Sequence, residues 1–211
     1  MTGLRERKKQ QTREQIAEAA RRLFTERGFA KVTVAEVARA ADVSEQTVFN
    51  YFPSKEDLVY WRLGTYEEEL LATIRERPRG EPAFAAFRRF LLAQRGLLGE
   101  HEPAARAQLT AFTRMIVESP ALQAREAQIL AGYAASLAAL LAEETGAGEG
   151  DIRPAVAANA MMGVHRALIA YVRQRVVAGE LGPRLGPLVR AEAERALDLV
   201  AAGVGDYAKR R

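Results

Sequence analysis

Helical periodicity extends along almost the whole chain and constrains its fold more than any other feature. Apolar residues recur at intervals of three and four positions, as in Ile16, Ala20 and Leu23, and no segment shows the alternation typical of a β-strand. Only 7% of the residues are aromatic and alanine is very common, which favours helices over strands. The sequence therefore predicts an all-α fold with about nine helices.

Glycine, proline and capping residues mark the expected ends of these helices. Gly28 follows a first helix over about 5–27 and supplies the left-handed backbone that commonly terminates a helix. Ser54 and Asp57 match a capping box, which predicts a fourth helix over about 55–77. Further helices are expected over about 82–98, 120–144, 151–178 and 185–202, with another beginning near Pro103.

Residues 33–55, TVAEVARAADVSEQTVFNYFPSK, contain two short helical patterns separated by a turn. Thr33 and Glu36 match a capping box at the start of the first helix. Ser44 is a favourable N-cap for the second helix, and Pro53 prevents that helix from continuing. A short helix, a turn of three or four residues and a second short helix form the helix-turn-helix pattern, whose second helix enters a DNA major groove. The segment therefore predicts a DNA-binding function.

The second of these helices leaves polar and aromatic side chains outside the small apolar core that its other residues form. Glutamine and asparagine can hydrogen-bond base edges, and threonine or aromatic groups can contact thymine methyl groups. Flanking hydroxyl and ammonium groups can hold phosphates, and the amides at a helix N-terminus suit anions. The predicted DNA-contacting residues are Thr33, Ser44, Glu45, Gln46, Thr47, Phe49, Asn50, Tyr51 and Lys55.

Each of these residues also has a simpler interpretation as ordinary solvated helix surface. Phe49 could be partly core, and Glu45 suits DNA only if its carboxylate accepts a hydrogen bond from cytosine. The basic run over residues 5–13 could be a solvated arm or a phosphate contact. The net charge of +4 is compatible with nucleic acid but does not single out a DNA-binding end.

The segment 33–55 resembles the TetR family of bacterial repressors, most clearly in the Tyr-Phe-Pro-Ser-Lys run after the recognition helix. Arg-Gly-Phe before the segment and the number of helices agree with this resemblance, whose detail covers about residues 10–60. Asp42 departs from the family, which usually has glycine in the turn, but aspartate tolerates a left-handed backbone better than most residues.

The resemblance implies a division of the chain into three parts. These are a helix-turn-helix DNA-binding domain over 1–54, a helical ligand-binding and dimerisation domain over 55–205, and a C-terminal tail over 206–211. It also implies that helices 8 and 9 pair with a second subunit and that ligand binding shifts helix 4. The run MIVESPALQAREAQIL is weakly similar to a subgroup associated with acyl-CoA-like ligands.

Apolar residues on the later helices supply candidates for an effector pocket and a dimer interface. His165 could be a satisfied core histidine, a ligand-facing residue or a metal ligand, and the other pocket candidates could equally be plain core. The pocket candidates are Phe87, Leu91, Phe112, Ile116, Tyr133, Met162 and His165. The last helix is more apolar than a monomer needs, and its interface candidates are Leu185, Leu188, Val189, Ala196, Leu199 and Val200.

Several classes of protein are disfavoured by what the sequence lacks. It has no cysteine, which excludes disulfides and cysteine-based zinc sites, and it has no hydrolase, zinc-protease or Walker motif. No signal peptide, membrane span, cofactor or metal is expected, so the cytoplasm is the default location. The sequence predicts a repressor that binds a palindromic double-stranded DNA operator as a homodimer and is released by a small, mainly apolar effector. The alternative is an all-helical small-molecule binding protein with a vestigial DNA-binding head.

Overall fold

A computed structural model describes residues 3–61, 63–93 and 103–208 of the chain. Within these ranges the protein consists of nine α-helices and two short 3-10 turns, which confirms the predicted all-α class. The turns are Phe29–Lys31 and Glu56–Leu58. The helices are α1 (Leu4–Arg27), α2 (Val34–Ala40), α3 (Glu45–Tyr51), α4 (Leu63–Arg75), α5 (Ala83–Ala93), α6 (Pro103–Val117), α7 (Pro120–Thr145), α8 (Arg153–Val177) and α9 (Leu185–Val204).

The chain divides into two compact units. The first unit comprises Met1–Leu63 and Arg114–Glu126, and the second comprises Gly64–Thr113 and Ala127–Arg211. Helices α6 and α7 therefore each contribute residues to both units. The domain boundary expected between residues 54 and 55 falls inside the first unit.

The start of the fourth helix differs from its prediction. Ser54 and Asp57 do form a reciprocal cap, since the Ser54 amide donates to the Asp57 carboxylate (3.0 Å) and the Asp57 amide donates to the Ser54 hydroxyl (3.3 Å). The cap opens only a 3-10 turn, and α4 begins at Leu63. Leu58 and Tyr60 are both buried, although residues two apart point to nearly opposite sides of an α-helix. Burial of both side chains therefore overrides the local helix signal.

The core of the first unit joins α1, α2 and α3. Ile16 and Phe24 of α1, Val37 of α2 and Val48 of α3 are all buried. Gly28 ends α1 with a positive φ of 83°, and its amide donates to the Phe24 carbonyl (2.9 Å). This apolar core fixes the backbone on which the exposed side chains of α2 and α3 stand.

The segment 114–126 is held in the first unit by two long-range polar contacts. The Tyr60 hydroxyl donates to the Leu122 carbonyl (3.0 Å), and the Arg125 guanidinium donates to the Asp57 carboxylate (2.7 Å). Asp57 therefore both caps the turn after α3 and binds the beginning of α7. Both contacts are made by residues of α7 that belong to the first unit.

The second unit packs α5, α8 and α9 around a shared core, with Phe87, Met161 and Leu197 among its buried residues. Among the described helices, α8 alone has the length and apolar composition to span a membrane, a test that a core helix also passes. Met161 and Met162 of α8 are buried inside this unit.

Candidate nucleic-acid interface

Helix α2 begins with the capping box that the sequence predicts. The Thr33 hydroxyl accepts from the Glu36 amide (3.2 Å), while the Thr33 amide donates to the Glu36 carboxylate (2.8 Å). Arg27 forms an ion pair with the same carboxylate (2.8 Å). The backbone hydrogen bond from Thr33 is the largest of the effects that lower the pKa of Glu36 to about 2.

The turn between α2 and α3 has a left-handed residue at Asp42, with φ at 53°. Aspartate adopts this conformation more readily than most residues other than glycine, which agrees with the glycine that the TetR family usually has in this turn. The Val43 amide donates to the Ala38 carbonyl (3.0 Å), and Gln15 of α1 donates to the Ala41 carbonyl (2.8 Å). These hydrogen bonds satisfy carbonyls at the end of α2 and hold the turn against α1.

Helix α3 begins at its predicted cap, Ser44, whose hydroxyl accepts from the Thr47 amide (3.1 Å). Val48 is buried and anchors the helix to the core, while Phe49 is 44% exposed. The Gln46 amide donates to the Asn50 carboxamide oxygen (3.1 Å) one helical turn away. The outer surface of α3 therefore presents two amide side chains beside an exposed aromatic ring.

The other predicted contacts are partly buried or already hydrogen-bonded. Thr33, Ser44 and Glu45 are exposed, whereas Thr47, Tyr51 and Lys55 are half-buried. The Lys55 ammonium donates to the Phe29 carbonyl (2.6 Å) and lies 4.2 Å from the centre of the Phe29 ring. Burial lowers the pKa of Lys55, and its hydrogen bond to the Phe29 carbonyl connects it to the turn after α1.

Arg13 of α1 contacts Phe52, the residue that follows α3, and this contact was not evident from the sequence. Its guanidinium lies 5.6 Å from the centre of the Phe52 ring, and its Nε is buried without a hydrogen-bond partner among the described residues. Arg13 and Phe52 are 39 positions apart, so no local sequence pattern could predict their contact.

The predicted pocket residues do not all lie in one unit. Phe87, Leu91, Tyr133 and Met162 are buried in the second unit, whereas Ile116 is buried in the first. Phe112, in the second unit, is 40% exposed. His165 stacks on Tyr66 of α4 with ring centres 4.9 Å apart. Tyr66 was not among the predicted residues, although its spacing from Leu70 and Ile74 places all three on one face of a helix.

The predicted dimer residues of α9 are likewise divided between core and surface. Leu185 is buried within its own unit, while Leu188 and Leu199 are 46% and 82% exposed. Val189, Ala196 and Val200 are half-buried. No group of three histidine, aspartate or glutamate side chains that could hold a metal ion occurs in residues 3–61, 63–93 and 103–208.

Two short capped helices, a left-handed turn and an exposed amide-bearing face on the second helix define a helix-turn-helix DNA-binding protein. Comparison with known proteins agrees: residues 16–60 match the bacterial regulatory proteins of the tetR family, and residues 82–204 match the MftR C-terminal domain. The chain belongs to the TetR family and is a transcriptional regulator.

Individual relatives support this membership. The chain is 32% identical to the transcriptional regulator TcmR of Streptomyces glaucescens over 72% of its own length and 69% of that protein. It is 29% identical to MftR of Mycobacterium tuberculosis, described as a mycofactocin biosynthesis transcriptional regulator, over 78% of this chain and 80% of MftR. Its fold is similar to that of FadR from Bacillus subtilis, solved with stearoyl-CoA, with a TM-score of 0.53 and 22% identity over 90% of this chain and 98% of FadR.

Proposed function

We propose that the protein is a ligand-responsive repressor that binds a palindromic operator as a homodimer and is released by a small, mainly apolar effector. The exposed face of α3 is the observation that carries this proposal. The side chains of Gln46 and Asn50 are exposed and hydrogen-bond each other, so packing in the core does not account for their amide groups. Either amide can form two hydrogen bonds to an adenine edge in the major groove.

The groups proposed to contact phosphates differ in whether their hydrogen-bonding capacity is already used within the protein. The hydroxyls of Thr33 and Ser44 already cap helices, so their part in DNA binding is to orient the amides at those helix ends. The Lys55 ammonium uses one of its three donors on Phe29 and has two left for a phosphate. The Glu36 carboxylate is neutralised locally by Arg27, which limits its repulsion of the DNA backbone.

Exposed apolar side chains on α8 and α9 support the dimer. Leu188 and Leu199 of α9 are exposed, and so are Val156 and Val177 of α8. A second copy of the chain would cover these residues around a two-fold axis, as in most homodimers. The two DNA-binding heads would then contact half-sites about one helical turn apart, or a multiple of that spacing. Leu185 would support the interface from within its own subunit.

The effector site lies in the second unit in this proposal. Buried apolar residues such as Phe87 and Met162 supply its walls, and stearoyl-CoA is the first acyl-CoA to test because FadR was solved with it. The protein acts by binding and not by catalysis, and it acts where bacterial DNA is found, in the cytoplasm.

Coupling between effector and operator would use the segment 114–126. An effector that reduces operator affinity 10–100-fold needs about 1.4–2.7 kcal/mol of coupling free energy. The Arg125–Asp57 ion pair joins the start of α7 to the turn that follows α3. We expect Arg125→Ala to bind the operator but to lose most of the effector response, measured as the ratio of operator Kd with and without effector. An unchanged ratio would exclude this ion pair from the coupling.

The proposal is tested by incubating purified protein with genome fragments at near-physiological salt and sequencing the bound DNA. Low salt must be avoided because any basic protein then binds DNA non-specifically. We expect enrichment of one or a few palindromic sites with the wild type and with Gln108→Ala, which removes an exposed amide from α6. The double variant Gln46→Ala/Asn50→Ala is expected to lose the enrichment. Ligand binding without any enriched site would instead support the vestigial-head alternative.

A further inference from the structure

Four aromatic rings from four helices meet inside the second unit. Tyr66 of α4 stacks on His165 of α8, with ring centres 4.9 Å apart and planes 14° apart. On α7, Tyr133 also stacks on Tyr66 at 6.0 Å, and Phe90 of α5 meets the Tyr66 ring edge-on at 5.1 Å. We call these four residues the aromatic cluster. Tyr66 is its centre, because all three ring contacts include it.

Two polar atoms of the aromatic cluster are buried without a hydrogen bond. The Tyr66 hydroxyl and the His165 Nδ1 have no partner among the described residues. Buried hydroxyl and imidazole groups are normally hydrogen-bonded, because an unsatisfied polar atom loses its hydration without compensation. An apolar core would place phenylalanine or leucine at these positions at no such cost. The two atoms are therefore available to a molecule that enters the cluster.

The charges around the aromatic cluster restrict what that molecule can be. Burial lowers the pKa of His165 to about 4, so the imidazole is neutral at neutral pH. Burial raises the pKa of Tyr66 and of Tyr133, and the nearby Glu67 carboxylate adds to the rise at Tyr133. The cluster thus offers neutral hydrogen-bonding groups with the acidic residue Glu67 nearby, which disfavours an anionic group.

We propose that Tyr66 and His165 form the polar anchor of the effector site and bind an uncharged hydroxyl or carbonyl oxygen carried on an apolar molecule. This inference rests on the proposed function and adds the chemical group that the effector must present. A carbonyl would accept from the Tyr66 hydroxyl, and a hydroxyl could also exchange a hydrogen bond with the His165 imidazole. A small aromatic alcohol and an acyl thioester both carry such an oxygen.

The first test uses the ligand-free protein. Tyr66→Phe keeps the ring contacts and removes only the unsatisfied hydroxyl, so we expect its Tm in thermal unfolding to rise above that of the wild type. Tyr171→Phe makes the same chemical change on a different helix, α8, where the ring centre lies 5.0 Å from the Arg175 guanidinium, and it is expected not to raise Tm. A lower Tm for Tyr66→Phe would show that its hydroxyl is already satisfied and would overturn the proposal.

The second test measures the binding of two probes, 2-naphthol and stearoyl-CoA, by isothermal titration without DNA. We expect at least one probe to bind the wild type and Tyr171→Phe equally, and to bind Tyr66→Phe and His165→Phe about 10-fold more weakly. The probe that binds identifies the aromatic or the acyl source of the oxygen. Equal binding to all four proteins, or no binding of either probe to the wild type, would overturn the proposal.

A charged probe tests the proposed exclusion of anions. We expect 2-naphthoate to bind the wild type at least 10-fold more weakly than 2-naphthol at neutral pH, and tighter binding of the anion would contradict the proposal. Failure of this inference is distinguishable from failure of the proposed function. Operator enrichment without Tyr66-dependent probe binding would refute only the anchor, whereas Tyr66-dependent binding without an enriched operator would refute only the repressor.

Discussion

The helices of the helix-turn-helix segment are capped by local hydrogen bonds, whereas a buried arginine of the second unit also bonds residues far along the chain. In the first unit, Thr33 and Ser44 each cap a helix through a hydrogen bond to a residue three positions away. In the second unit, buried Arg77 donates to the Glu144 carboxylate (2.9 and 2.6 Å) and to the Ala208 carbonyl (2.7 Å), 67 and 131 positions away. Local caps leave the outer face of a short helix free for a partner. Long-range contacts hold together helices that could not recognise each other locally.

Removal of the Arg77 side chain is expected to have the largest effect on stability and to destabilise the second unit. Arg77→Ala leaves the Glu144 carboxylate and the Ala208 carbonyl without this donor, so we expect the free energy of unfolding to fall by about 3–5 kcal/mol. Chemical denaturation measures this loss. Arg89→Ala breaks a more exposed pair with Glu81 (3.2 Å) and should lose less than about 1 kcal/mol. Similar losses for the two variants would refute the structural role of Arg77.

Truncation of Tyr51 tests whether the exposed face of the first unit binds DNA. We expect Tyr51→Ala to weaken operator binding by about 1–3 kcal/mol, measured by fluorescence anisotropy with a labelled operator. Tyr51→Phe removes only the hydroxyl and keeps the packing of this half-buried ring, so it distinguishes the contribution of the hydroxyl from that of the ring. Thermal unfolding of both variants checks that the fold is intact. Wild-type affinity in Tyr51→Ala would remove Tyr51 from the DNA-contacting set.

The left-handed turn before α3 is expected to have a smaller effect on stability. Residue 42 has a φ of 53°, a conformation that alanine adopts less readily than aspartate because it lacks a polar side chain that can hydrogen-bond locally. We therefore expect Asp42→Ala to lower the free energy of unfolding by about 1 kcal/mol. Asp42→Gly relieves the strain and serves as the matched control, which should be at least as stable as Asp42→Ala. Thermal unfolding compares the two, and a more stable alanine variant would contradict the assignment.

The smallest effect on stability is expected when the Glu36 carboxylate of the α2 capping box loses its charge. The pKa of Glu36 is lowered to about 2 in the folded protein, from an ordinary value of 4.5. A lowered folded-state pKa means that its stabilisation is present above about pH 4.5 and is lost as the pH falls toward 2. We expect the stability of Glu36→Gln to depend less on pH across this range than that of the wild type. Parallel pH profiles of the two proteins would show that the carboxylate contributes nothing.

The sequence alone determined the all-α class and the local architecture of the helix-turn-helix segment. The caps at Thr33 and Ser44 could be predicted because each depends on residues within three positions. The exposed surface of α3 followed from the same reasoning, since the periodicity of a helix fixes which residues face a small core. The left-handed residue at Asp42 was implied only by the resemblance to the TetR family.

Only the tertiary structure decided where the fourth helix begins and which residues of the later helices meet. Leu58 and Tyr60 are both buried, and the helix that the local sequence predicts from residue 55 does not form there. Leu185 is buried and is therefore not part of the exposed face of α9. The contact of Tyr66 with His165 joins residues from α4 and α8 that no local pattern relates. A hydrogen-bonded cap is complete within one turn of the chain, whereas burial depends on every segment that packs against a side chain.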